Sequence, residues 1–177
     1  MKPRLFLDID GVIYAHYAGQ WQIRPYTVSL VAWAAKHFDI YWASWNSRRA
    51  QVVQVLYAEG IVCETMSDKP GIPPGKFPYI EAYGGLEGDW LFIEDTPPSE
   101  AEARYLSDRG ILGRYIVVPD TGGDVLLDVK VALEGWIKDR KIVVPADWIR
   151  PISIAKDLCT VDQWTGYKGE GEYILKV

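Results

Sequence analysis

Short apolar runs alternate with amphipathic stretches along the first 140 positions, and the alternation places the elements. Leu5-Phe6-Leu7 reads as a buried strand that runs directly into Asp8-Ile9-Asp10-Gly11. Val12-Ile13-Tyr14 and Trp21-Gln22-Ile23 are short extended pieces, and Ala18-Gly19 between them predicts a small hairpin or flap. Pro25 and Thr27 open a helix through Lys36, with Val28, Val31, Ala32 and Ala35 as its apolar stripe. A second strand is expected over Phe38 to Ala43, ending at Ser44-Trp45-Asn46-Ser47. Asn46 or Ser47 caps a helix from Arg48 to Glu59, and Gly60 stops it. Ile61-Val62-Cys63 reads as the third strand, and the stretch Ser67 to Gly75, rich in proline and glycine, as a loop. Lys76 leads into a short helix through Tyr83. Trp90-Leu91-Phe92-Ile93 is the fourth strand and again ends in acid, at Glu94-Asp95. Ser99 caps a helix to about Asp108, which Gly110 ends, and Tyr115 to Val118 is the fifth strand. A last helix follows Thr121 to Gly123 and runs to about Lys138, with Leu126, Val129, Leu133 and Trp136 on one face.

Strand and helix alternate throughout, which implies parallel βαβ units and an α/β fold with a doubly wound, Rossmann-like sheet over residues 1–140. Residues 141–177 break the pattern with Pro145, Pro151 and the glycines of Gly166 to Gly171. They read as a C-terminal extension, an arm or small hairpin that packs on the domain or on a neighbouring chain; the second option makes a homo-oligomer. Apolar content of 49% and charged content of 24% are ordinary for a soluble globular chain. The net charge of −5 weighs against a large nucleic-acid footprint, though not against a small basic cleft. Cys63 and Cys159 are the two cysteines, and no targeting segment precedes the first strand, so a reducing, cytoplasmic setting is the expectation. No apolar run approaches membrane-spanning length. His16 and His37 lack any partnering Cys-x-x-Cys spacing, which leaves little room for zinc. The eight tryptophans and eleven tyrosines are chiefly packing groups, with base stacking as the minority use.

The chemistry concentrates at the strand ends. Asp8 and Asp10 stand at or just past the carboxyl end of the first strand, where open α/β sheets bind ligands. Alternation lets them project the same way, and Gly11 lets the chain turn at once. Adjacent carboxylates repel unless a proton or cation compensates, and magnesium, a hard cation with a preference for oxygen, fits best. The plain alternative is an acidic turn with capping aspartates. Ser44 follows the second strand, and Glu94 and Asp95 follow the fourth, so in a parallel sheet all these groups face one side. With Lys76 added, the set suits phosphoryl transfer, where charge on the equatorial oxygens needs stabilising.

Leu7-Asp8-Ile9-Asp10-Gly11-Val12, then Ser44, a later lysine and Ile93-Glu94-Asp95, resemble in this order the haloacid dehalogenase superfamily. Trp42-Ala43-Ser44-Trp45 also resembles the Trp-Ala-Thr/Ser-x-Trp signature of a small phage and bacterial branch, whose related domains occur in nucleic-acid end-repair proteins. The resemblance implies that Asp8 is the nucleophile that takes the phosphoryl group and Asp10 the general acid and base. It implies that Ser44 hydrogen-bonds the phosphoryl oxygens and Lys76 stabilises their charge, with Lys69 as the competing lysine. Magnesium is expected on Asp8, on Asp10 through its backbone carbonyl, and on Asp95, with Glu94 behind Asp95 and supporting it. Glu94-Asp95 departs from the Asp-Asp or Gly-Asp pair common in that family.

The presence of Asp10 favours a phosphatase or phosphotransferase over a dehalogenase within that resemblance. The stretches flanking Ser44 are too short for a full cap domain, so the cleft should be open, covered at most by the flap over Val12 to Ile23. Members without caps often act on bulky substrates, which points to a nucleotide or a polynucleotide 3′-phosphate end. Trp45, Asn46 and Arg48, with Arg49, Tyr14 and His16 nearby, are the candidate substrate contacts. Two other readings stand beside this one: a binding or assembly module that keeps the fold without turnover, and a small-metabolite phosphatase.

Overall fold

Leu5, Phe6 and Leu7 have no polar face to offer water, so the strand they form must be covered on both sides. In the computed structural model it is strand β1 (Arg4–Leu7), the centre of a five-stranded sheet. The structure describes residues 1–17, 19–44, 49–62, 64–65, 77, 80–81, 87–119, 124–145 and 172–176. After β1 come a hairpin of β2 (Tyr14–Tyr17) and β3 (Gln20–Ile23), helix α1 (Thr27–His37), β4 (Asp39–Trp42), α2 (Arg49–Ala58) and β5 (Glu64–Thr65). Then follow β6 (Trp90–Glu94), α3 (Glu100–Asp108), β7 (Tyr115–Val117), α4 (Val125–Asp139), β8 (Lys141–Pro145) and β9 (Glu172–Lys176).

The sheet order is β5-β4-β1-β6-β7 and every pairing is parallel. Successive strands add on one side of β1 and then on the other, so the winding reverses between β1 and β6. In open α/β sheets the crevice at such a reversal is where ligands bind. Right-handed crossovers running in opposite directions put α1 and α3 on opposite faces. The α/β class and the parallel sheet expected from the sequence are present, in a form compatible with a Rossmann-like fold.

One face of the sheet carries an aromatic row. Phe6 lies level with Tyr41 and Phe92, and Phe92 with Tyr115. Phe6 stacks on Tyr41 at 5.5 Å and Phe92 on Tyr115 at 5.0 Å, and Phe77 closes over Phe92 and Tyr115. On α4, Leu126, Val129, Leu133 and Trp136 are all buried as expected, and Trp136 stacks on Phe38 after α1 at 5.9 Å. The last strands, β8 and β9, pair antiparallel, with Ile142 fully buried in the main core.

Local signals set the helix ends. The Ser99 side chain accepts from the Glu102 amide while the Glu102 carboxylate accepts from the Ser99 amide, so α3 begins in a capping box. Gly60, at φ 75, closes α2: its amide donates to Tyr57 O and that of Ile61 to Leu56 O. That closure moves the third strand. Ile61-Val62-Cys63 was expected to form it, but the Ile61 amide is used by the helix and Val62 is 77% exposed; Cys63 lies outside the described residues, and the described pairing with β4 is that of Glu64 and Thr65. The stripe of α1 is rotated too: Thr27, Leu30, Val31 and Ala34 are buried, whereas Val28, Ala32 and Ala35 lie at its margin. Thr27 can face inward because its hydroxyl donates to Arg24 O at 2.8 Å, which satisfies a polar group in the core.

Trp136→Ala removes the ring that bridges α4 and Phe38 and also carries the Arg140 guanidinium, 4.3 Å from its centroid. We expect a loss of roughly 3–5 kcal/mol in urea unfolding; a loss below about 1 kcal/mol would show that this contact is not part of the core.

Candidate functional site

Strand register builds the site. Leu7 is level with Trp42 on one side and Ile93 on the other. The ladder runs one step further, with the Asp8 amide donating to Ile93 O at 3.0 Å and the Ala43 amide to Leu7 O at 2.9 Å. Asp8, Ser44 and Glu94-Asp95 therefore leave the sheet from three adjacent strands at one edge, at the point where the winding reverses. Asp8, Ser44 and Glu94 are buried, while Asp10 and Asp95 are partly exposed.

Oxygens of Asp8, Glu94 and Asp95 all lie within 4.8 Å of one another. Three carboxylates at this spacing repel strongly without a compensating cation. The donor set is all oxygen, partly buried and compact, which is the chemistry a hard divalent cation takes. Asp8 and Asp95 were both expected as ligands. Glu94 was expected behind them, and its carboxylate does accept from the Asp95 amide at 3.1 Å, yet it also brings an oxygen into the group itself. The Asp10 side chain is outside that triad; its Oδ2 accepts from Ser44 Oγ at 3.4 Å, so the second aspartate and the serine face each other.

Gly11 has two reasons to be glycine. Its φ is 74, in the left-handed region, and a Cβ built on it would fall inside the Asp95 carboxylate. Asp95 thus lies directly over the turn that follows Asp10. Thr96 Oγ1 donates to Asp95 Oδ1 at 3.2 Å, and Tyr115 Oη donates to Thr96 O at 2.8 Å, so β7 braces the acidic loop from the side. Burial pushes the Tyr115 phenol well above its usual range, and the charges of Glu102, Asp8 and Asp95 push it the same way.

The expected flap is present as the β2–β3 hairpin, in the register Tyr14 with Ile23 and His16 with Trp21. It is rooted in the acidic loop, because the Gly11 amide donates to Tyr14 O at 2.8 Å and the Tyr14 amide to Ile9 O at 2.7 Å. The Tyr14 and Trp21 rings stack at 6.0 Å, with His16 edge-on to Trp21 at 6.1 Å. Arg24, which the sequence does not flag, is buried at the foot of this hairpin and donates to Gly11 O at 2.8 Å. Lys76, Lys69, Trp45, Asn46 and Arg48 lie outside the described residues, and Arg49 begins α2. Phe77 and Ile80, just beyond Lys76, are buried, and Tyr105 of α3 hydrogen-bonds Glu81 there. Among the described residues no helix is long and apolar enough to cross a membrane. No protein-family model matches the chain, and no curated protein matches it.

Gly11→Ala forces a left-handed alanine and drives a methyl group into Asp95. Its expected cost is at least about 1–3 kcal/mol in denaturant unfolding; an unchanged midpoint would mean that Asp95 moves freely aside. Tyr115 supplies a pH test. Because its folded pKa is raised, its contribution is complete below the model-peptide value of 10.0 and is lost as pH climbs above it. Wild-type stability should therefore fall from about pH 10 upward with a slope of up to about 1.4 kcal/mol per pH unit. Tyr115→Phe should lack that component, and identical alkaline profiles for the two proteins would contradict the assignment.

Proposed function

We propose that the chain is a magnesium-dependent phosphatase of the haloacid dehalogenase type, acting on a phosphomonoester through an aspartyl-phosphate on Asp8. The observation that carries this reading is the meeting of two carboxylate sets at one sheet edge. Asp8 from β1 and Glu94-Asp95 from β6 form an oxygen cage, and Asp10 stands beside it against Ser44.

In this mechanism an Asp8 carboxylate oxygen attacks phosphorus while the bond to the ester oxygen breaks. Asp10 in its protonated form gives its proton to that leaving oxygen, so the alcohol departs neutral. A water molecule then gives a proton back to Asp10 and attacks phosphorus, which releases inorganic phosphate and restores the Asp8 carboxylate. Ser44, poised against Asp10, holds a phosphoryl oxygen, and Lys76 is the cation assigned to the remaining charge. Asp8, Asp95 and the Asp10 carbonyl would hold the magnesium ion, with Glu94 fixing the Asp95 amide. Magnesium, when bound, offsets the clustered negative charge and draws density from the phosphoryl oxygens.

Between β1 and α1 the chain holds no more than the short hairpin, which supports an open cleft. The favoured substrate is accordingly a nucleotide or a polynucleotide 3′-phosphate end. Hydrolysis of p-nitrophenyl phosphate and of a 3′-phosphorylated oligonucleotide, with and without magnesium, tests the proposal. Turnover should require the metal, and Asp8→Asn should abolish it by at least about 10³-fold without unfolding the chain. An active Asp8→Asn variant would overturn the mechanism. Magnesium binding by calorimetry without turnover on either substrate would instead identify a binding module on the same fold.

A further inference from the structure

Arg24 is the buried cation among the described residues. Among the described residues the buried charged side chains are Asp8, Glu94 and Arg24, and Arg24 is only 2% exposed. Arginine is almost never buried to that degree without partners that fix it. One bond holds the guanidinium, and two more fix the Arg24 backbone from which it extends. Its guanidinium Nη2 donates to Gly11 O at 2.8 Å, its own amide donates to Ile13 O at 2.8 Å, and its carbonyl accepts the Thr27 hydroxyl at 2.8 Å. One residue thus ties the end of β3 to the turn after Asp10 and to the first residue of α1.

Gly11 is held on every side. Arg24 takes its carbonyl, its amide donates to Tyr14 O, and the Asp95 carboxylate covers its α-carbon. Asp10 is one peptide away and faces Ser44. Displacing the hairpin therefore acts on both peptides that flank the Gly11 α-carbon: Arg24 pulls the carbonyl of the Gly11–Val12 peptide, and Tyr14 pulls the amide of the Asp10–Gly11 peptide.

We propose that Arg24 is a positioning residue: it latches the β2–β3 hairpin to the Asp10–Gly11 turn, so that the position of the hairpin sets the aim of the Asp10 carboxylate. Arginine suits this task because its guanidinium stays charged at any working pH and its donors are rigidly splayed, whereas a lysine offers one flexible point charge. A substrate that settles against the hairpin is then felt at the general acid without touching it.

The activity arm of the test rests on the phosphatase reading; the exchange arm does not. Arg24→Gln and Arg24→Lys are compared with wild type, and the lysine variant is decisive if the glutamine variant does not fold. In amide hydrogen exchange, Gly11 and Tyr14 should exchange roughly 10-fold or more faster in the variants, while the central strands and α4 keep their protection. Unchanged exchange at Gly11 and Tyr14, or an equal increase across the whole sheet, would overturn the latch. In p-nitrophenyl phosphate hydrolysis, kcat should fall by roughly 10²-fold with KM nearly constant, as expected for a misaimed group. A loss confined to KM, or wild-type kcat in Arg24→Lys, would also overturn it. If wild type turns over neither p-nitrophenyl phosphate nor a 3′-phosphorylated oligonucleotide, the phosphatase reading fails and the exchange result alone decides the role of Arg24.

Discussion

The register that places β1 level with both of its neighbours is the constraint on which the rest of this structure depends. Parallel pairing at Leu7 with Trp42 and with Ile93 leaves no freedom in where the following residues emerge. Asp8 and Glu94 are delivered to the same depth on adjacent strands, buried and close together. The backbone ladder, repeated along five strands, supplies the free energy that holds like charges where Coulomb repulsion would separate them. Local bonds then apportion the strain: the Asp95 amide to Glu94, the Thr96 hydroxyl to Asp95, and the Tyr115 phenol to the Thr96 carbonyl. A concentration of negative charge of this kind makes the strand ends an attractive seat for a cation before any substrate is considered.

Much of the fold was legible because its signals were local. The strands around Leu5–Leu7 and Trp90–Ile93 are buried on both faces, so their apolar runs needed no partner to be recognised. Ser99 with Glu102, and Gly60 past the end of α2, carry their helix boundaries in their own chemistry. The failures are equally physical. Ile61 and Val62 look like a strand by side chain, but the closing hydrogen bond of α2 had already claimed the Ile61 amide. In α1, two stripes one residue apart fit the sequence about equally well, and a buried threonine hydroxyl with a partner in Arg24 selects between them.

At the site, the carboxylates could be found because acid at a strand end is conspicuous against apolar neighbours. Arg24 could not, since nothing in Ile23-Arg24-Pro25 distinguishes a buried guanidinium from a solvated one. Tyr115 was likewise hidden as an ordinary strand aromatic, although its hydroxyl reaches a loop nineteen residues away in sequence. Both act through tertiary contacts with backbone carbonyls, and a carbonyl is invisible to any residue pattern. The hairpin shows the same division. Its turn was readable, but a lone two-stranded ribbon is marginal in water, and what holds it is the Tyr14–Trp21 stack above and Arg24 below.

The pairing of β8 with β9 has a different kind of consequence. Pro145 lies opposite Glu172, so the chain leaves the ribbon and re-enters it at a single doorway. The ladder from Lys141 with Lys176 to Pro145 with Glu172 fixes both ends of that doorway. The ribbon is a sheet of its own, so the register that places the carboxylates is set without it, and a change inside the ribbon leaves that register untouched.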